Sequence, residues 1–239
     1  MVYGAAGAGK TIFACSSSVF RTFVFDIDKG LLSAYQKLSP ERRQMVTVWS
    51  VDRRSDFDAG LNYLHNHIKS YDLAVVDTAT ELQRLFIADM TGSGRMARTD
   101  EWGKVLLYFE EISRVFRSLQ VHSLMLCHEN AEINAISKLP KYYPSFQGQF
   151  HVQYAKHLDE IWRIFLNKVE VQDPQTGNIV TRYDRWLQCN LTDFAEAKDR
   201  SQSLQMYEPA DNDAVFSKII PGLAIVDSSQ ATTIGNNEQ

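Results

Sequence analysis

Residues 4–11 read Gly-Ala-Ala-Gly-Ala-Gly-Lys-Thr and match Gly-x-x-x-x-Gly-Lys-[Ser/Thr] at every position. No other segment narrows the possible folds so far. The pattern works where a strand feeds a glycine-rich turn that opens into a helix, so that backbone N–H groups converge on a phosphate. Glycine allows the left-handed turns and the close approach this needs. Gly4, Ala5, Ala6, Gly7, Ala8, Gly9, Lys10 and Thr11 are therefore the expected phosphate cradle. Lys10 is placed to reach the β and γ oxygens of a triphosphate, and the Thr11 hydroxyl to ligate Mg²⁺. The partner group is an acid closing a buried strand. Residues 71–77 (YDLAVVD) supply it in Asp77, a second Mg²⁺ group acting through water. No Asn/Thr-Lys-x-Asp guanine motif and no lid-like insertion with paired arginines accompanies them, which argues against GTPase and adenylate-kinase classes; a nucleoside triphosphate with Mg²⁺ is the expected ligand.

The rest of the chain alternates strand-like and helix-like runs. Short apolar runs lie at 22–25, 46–51, 73–76 and 123–127. Helical spacing shows at 57–70, where Phe57, Leu61, Leu64 and Ile68 share a face, and again at 81–90 and 102–119. Such alternation predicts a parallel α/β sheet with helices on both faces. Segment 91–99 (TGSGRMART) is expected to be a loop. Residues 138–151, with two prolines, a glycine and four aromatics, are too irregular for one element. The stretch 157–167 reads as helix running into strand. Residues 168–170 and 182–188 read as an antiparallel hairpin around the turn 173–178.

The 239 residues, 44% apolar and 23% charged, exclude wholesale disorder and suffice for one large core. Residues 1–226 are expected to form one domain, followed by a polar, disordered tail at 227–239. The five acids after residue 200 face a single base, Lys218, and that imbalance accounts for the net charge of −4. The remainder is neutral, so any nucleic-acid affinity must come from local cations. No apolar run reaches the roughly 18 residues of a membrane span. Cys15, Cys127 and Cys189 are widely spaced and odd in number, which reads as buried thiols in a reducing, cytoplasmic compartment. Only Met1, Val2 and Tyr3 precede the glycine loop, where a central strand has about five residues. A trimmed or alternative start is the expectation.

Three further features have a fixed order. The strand at 22–25 runs into Asp26, Ile27 and Asp28. The strand at 123–127 ends in His128. Ala197, Lys198, Asp199 and Arg200 come late. Together with the phosphate loop they resemble the RecA-like ATPases, and more narrowly the phage-encoded RecA-like single-strand annealing ATPases. That resemblance spans residues 2–205. It rests on the loop, Asp28-Lys29-Gly30, 75–82 (VVDTATEL), Asp100-Glu101-Trp102-Gly103, Cys127-His128-Glu129, 144–148 (PSFQG) and Lys198-Asp199-Arg200.

The resemblance implies a RecA-like P-loop fold: a mainly parallel sheet, helices on both faces and an antiparallel C-terminal hairpin. Its implied activity is ATP-dependent single-strand binding in phage recombination, by annealing or strand exchange. Asp28 would polarise the attacking water, with Asp26 or Glu81 as alternatives. His128 would sense the γ-phosphate, and Lys198 and Arg200 would reach into a neighbour's nucleotide. Self-assembly into a ring or filament follows, with single-stranded DNA as ligand, a single-strand binding protein as companion and the bacterial host cytoplasm as location. Two segments would face the DNA: Arg95 and Arg98 in one, and Lys138, Lys141, Tyr142 and Phe146 in the other. Cations would neutralise phosphates and aromatics would stack on bases. A hexameric helicase-like or packaging-type motor, and a KaiC-like regulatory ATPase without DNA binding, are the alternatives.

Overall fold

A computed structural model describes residues 1–92, 97–135, 137–174 and 176–223. Arg95 and the tail 227–239 lie outside the described residues. In chain order the elements are β1 (Val2–Gly4), α1 (Lys10–Cys15), β2 (Thr22–Asp26), α2 (Leu31–Tyr35), α3 (Pro40–Gln44), β3 (Val46–Ser50), α4 (Arg54–Asn66), β4 (Leu73–Asp77), α5 (Ala79–Thr91), α6 (Thr99–Ser118), β5 (His122–Ile133), β6 (Pro140–Pro144), α7 (Phe150–Gln153), β7 (Glu160–Gln172), β8 (Ile179–Gln188), β9 (Lys198–Asp199), β10 (Tyr207–Pro209) and α8 (Asn212–Ile219).

The main sheet has the order β10-β8-β7-β1-β5-β4-β2-β3. From β7 to β3 the pairings are parallel, and β8 and β10 add antiparallel strands beyond β7. This is the mainly parallel α/β sheet with an antiparallel C-terminal hairpin expected from the sequence.

The inner strands are apolar on both faces because helices cover both. Alternate residues divide between two cores. Tyr3, Phe23, Phe25, Ala74, Val76, Met125 and Cys127 point to one side, where α4, α5 and α6 supply Phe57, Leu64, Leu82, Phe86, Val105 and Phe109. Val2, Val24, Leu73, Val75, Leu124 and Leu126 point to the other, against Phe13 and Cys15 of α1 and Val215 and Phe216 of α8. Short β1 is paired on both edges, by β5 and β7, and so holds the middle of the sheet. Among the described residues no helix is long and apolar enough to cross a membrane. All three cysteines are buried and free.

Two local expectations change, the end of β5 and the length of the C-terminal hairpin. β5 does not stop at Cys127. It leaves the parallel sheet after His128 and continues to Ile133, pairing antiparallel with β6. The irregular stretch 138–151 therefore divides into a hairpin arm and a pinned segment. Gln83 of α5 donates from Nε2 to the Gln147 carbonyl at 3.1 Å and accepts from the Gln147 N–H at 2.7 Å. Gly148, at φ +65°, lies so close to Trp102 that a Cβ there would come within 2.7 Å of the indole. The C-terminal hairpin is also longer than expected, with ten register pairs from Arg163–Gln188 to Gln172–Ile179.

Candidate active site

The parallel strands deliver their carboxyl ends to one edge, where ligands of open α/β sheets bind. Register decides which side chains meet there. Gly4 lies opposite His128, Asp26 opposite Asp77, and Asp77 opposite Leu126. The backbone N–H groups of Ile27 and Asp28 both donate to the Asp77 carbonyl, at 2.7 and 3.1 Å, which folds Asp28 over the end of β4.

Residues 4–9 close a turn on β1, with an Ala8 N–H to Ala5 carbonyl bond of 3.2 Å. Gly9 takes φ +100°, a left-handed geometry suited to glycine, and Lys10 then starts α1. The Lys10 ammonium folds back and donates to the Gly4 and Ala5 carbonyls at 2.8 and 3.0 Å. Only 6% of Lys10 is exposed, and burial lowers its pKa despite the nearby Asp77, Asp28 and Glu129 carboxylates. Those carbonyl bonds hold the lysine beside the loop it is expected to serve.

The Thr11 hydroxyl donates to Asp77 Oδ2 at 2.7 Å. Asp77 is 1% exposed, and burial pushes its pKa up to about 6, against the Thr11 bond; Asp26 and Asp28 add like charge. A hydroxyl and a carboxylate are hard oxygen donors, and this carboxyl group is buried among other acids. That donor set fits Mg²⁺, which also keeps waters in its shell. The peptide joining Asp77 to Thr78 is cis.

Thr78 caps α5, accepting from the Glu81 N–H at 3.2 Å. That fixes Glu81 in the first turn, facing the strand ends. His128 Nε2 lies 3.6 Å from Asp28 Oδ2 and 3.8 Å from Glu81 Oε1. Arg84 holds Glu81 Oε1 from the other side at 2.5 Å. Burial first, then the Lys10 charge, lowers the His128 pKa, so the imidazole is neutral at pH 7. The His128 backbone N–H donates to the Thr80 hydroxyl at 3.0 Å. Two carboxylates and a neutral donor thus stand across from Lys10. Asp26, the other alternative base, is 8% exposed and turned inward, with Oδ1 lacking a partner.

The other expected residues lie elsewhere. Lys198 donates to the Ala155 and Leu158 carbonyls at 3.0 and 2.6 Å, so its charge is committed within its own chain. Arg200 pairs with Asp159 at 2.7 Å and lines a cavity with Met1, at the opposite end of β1 from the phosphate loop. Arg98 caps α6 and pairs with Asp100 and Glu101 at 3.6 and 3.5 Å. Lys138 is exposed at the hairpin turn with φ 60°. Lys141 lies 3.6 Å from Glu196 Oε1.

Tyr142 and Phe146 require correction as base-stacking groups. The Arg163 guanidinium already covers the Tyr142 ring, 3.6 Å from its centroid. Phe146 is 7% exposed and packs with Phe109, Phe150 and Tyr154. The pinned segment 145–150 turns its aromatics inward because helices α5 and α6 offer an apolar bed there.

Residues 1–201 match the family model described as AAA domain. The chain belongs to the AAA-domain family. The phosphate loop and buried acid of this AAA domain make it a P-loop ATPase. No curated protein matches its sequence. Among solved structures it is similar to the RadB recombinase, at 14% identity over 77% of this chain and 84% of that one, with a TM-score of 0.42. It is also similar to a KaiC-like protein from the hyperthermophilic archaeon Pyrococcus horikoshii OT3, at 12% identity over 78% and 74%, TM-score 0.44. A prototypical ATPase from the type III secretion system of pathogenic bacteria is similar at 10% identity over 68% and 50%, TM-score 0.45.

Sequence reasoning missed two participants. Thr80, which holds the His128 backbone, lies within the 75–82 segment (VVDTATEL) that follows the buried acid. The other is Arg185 of β8, since no local pattern ties it to the loop it touches.

Proposed function

We propose that this AAA domain is a Mg²⁺-dependent ATPase that binds single-stranded DNA and promotes annealing or strand exchange in phage recombination. The observation that carries the reading is one continuous strand. β5 bears His128 at the nucleotide edge and runs on to Ile133, where a turn carrying Lys138 leads into β6 and Lys141. A change in the position of His128 when a γ-phosphate arrives would be passed along this arm to its two lysines.

Lys10 would leave its carbonyl partners for the phosphates. Thr11 and Asp77 would hold Mg²⁺, which when bound neutralises phosphate charge. Asp28, with Glu81 as alternative, would take a proton from the attacking water, and neutral His128 would donate a hydrogen bond to the terminal phosphate. Arg200 points away from its own loop, so it would serve only a neighbouring subunit, with ATP between subunits of a ring or filament. Its exchange of Asp159 for a phosphate would make hydrolysis depend on assembly.

The test is a titration of labelled single strands at several salt concentrations, with and without ATP. ATP should strengthen binding, and binding should be cooperative in protein. Each lost phosphate contact removes about 0.7 from the salt slope, so Lys138→Glu with Lys141→Glu should flatten it by about 1.4 per subunit. A parent without affinity for single strands in any nucleotide state would overturn the DNA reading in favour of a regulatory ATPase. Strand displacement without a homologous partner strand would instead favour a motor.

A further inference from the structure

The antiparallel hairpin returns β8 to the phosphate loop. Arg185 lies opposite Leu166 of β7, and its carbonyl accepts from the Ala210 N–H at 3.0 Å. Its side chain crosses to the loop so closely that a Cβ on Gly9 would meet Arg185 Nε at 2.4 Å and Cδ at 2.8 Å. Gly9 thus has two reasons to be glycine, its left-handed backbone and the arginine lying on it.

Arg185 is exposed to solvent. The neighbouring Asp184 is taken by Arg182 at 2.8 Å. Among the described residues no carboxylate pairs with the Arg185 guanidinium and no hydrogen bond engages it. Elsewhere the arginines near the site are occupied, as Arg84 is by Glu81 and Arg163 by Glu129 at 2.6 Å. A guanidinium with five donors, laid against a phosphate cradle and left without an anion, suits a ligand that brings its own negative charge.

Its place between two cavities is the second observation. One, of about 230 Å³, holds Lys10, Thr11, Asp77 and His128. The other, of about 580 Å³, lies between α1 and β8 and is lined by Ile12, Ser16, Asp184, Trp186 and Asn212. Gly9 and Arg185 line both. A ligand with phosphates in the first cavity and its remaining body in the second must pass Arg185.

We propose that Arg185 is a phosphate-binding residue acting in cis, closing over the phosphate chain of the nucleotide held by residues 4–11 of its own subunit. This rests on the nucleotide reading above. It differs from the expected action of Arg200, which would work across a subunit boundary. Bidentate pairing of the guanidinium with phosphate oxygens would replace solvent without breaking any existing ion pair.

The experiment measures binding of fluorescent mant-ATP and mant-ADP to parent, Arg185→Ala, Arg185→Lys and Lys10→Ala proteins, with thermal unfolding of each in the absence of nucleotide. Charge-assisted hydrogen bonds of this kind correspond to roughly 10- to 100-fold in affinity. Arg185→Ala should lose that much for both nucleotides, Arg185→Lys should recover part, and the nucleotide-free melting temperatures should coincide, because Arg185 has no partner to lose. Parent-like binding by Arg185→Ala overturns the proposal while leaving the nucleotide site intact. A parent that binds neither nucleotide overturns the nucleotide reading itself, and this proposal with it. Mixing Arg185→Ala with Lys10→Ala protein separates cis from trans: a cis residue gives no recovery of ATPase activity in mixed assemblies, and recovery would refute the cis assignment.

Discussion

Asp77→Asn should make the nucleotide-free protein more stable while disabling its chemistry. The carboxyl group is 1% exposed, accepts one hydrogen bond from Thr11 and faces the like charges of Asp26 and Asp28. Burial is the largest influence, and it raises the pKa from 3.8 to about 6. Between those values the folded protein keeps a proton that the unfolded chain has released. The stability linked to this group is therefore complete below pH 3.8 and is lost as pH rises through about 6. A gap of about two pH units at ~1.4 kcal/mol each costs about 3 kcal/mol above pH 6. Asparagine keeps the acceptor for Thr11 and has no charge to desolvate. In a chain of this size about 3 kcal/mol corresponds to roughly 6–12 °C in melting temperature. The assay is thermal unfolding of both proteins from pH 4 to pH 8 without Mg²⁺ or nucleotide. Their difference should open between pH 4 and 6 and stay level above that. Asp26, whose pKa burial also raises, titrates in both proteins and largely cancels in the difference. Equal melting temperatures at pH 7.5, or a difference independent of pH, would refute the argument that Asp77 is destabilised by its burial.

Three further outcomes are expected. Lys10→Ala should abolish ATP hydrolysis and most nucleotide affinity with its circular dichroism unchanged, and normal turnover would remove Lys10 from the site. Asp28→Asn and Glu81→Gln separate the two carboxylates 3.6 and 3.8 Å from His128: single-turnover hydrolysis should fall by about 10²-fold or more in the variant that lacks the base, and the other should remain near the parent. Arg200→Ala should bind ATP like the parent but turn over ~10³-fold more slowly; its activity should recover partly when mixed with Lys10→Ala protein, and absence of recovery in confirmed mixed oligomers would show that Arg200 does not act across subunits.

Local chemistry was legible in the chain itself. The loop 4–11, the acid at the end of an apolar strand, and the alternation of strand and helix each depend on neighbours within a few residues, and the structure carries all three. Polar side chains that gather at the strand ends were legible as candidates, since a parallel sheet sends those ends to one edge. Which of them meet was decided by register: Gly4 beside His128 and Asp26 beside Asp77 follow from pairing across the sheet. The fate of the aromatics was also a tertiary matter. Tyr142 and Phe146 read as base-stacking groups until Arg163 and the α6 surface were in view. Arg185 marks the limit most sharply. Composition, spacing and motif say nothing of it, because its closeness to Gly9 is created only when β7 pairs with β1 and the hairpin folds back over the loop. Sequence determines what each segment can do alone, while contacts between distant segments exist only after the sheet has brought them together.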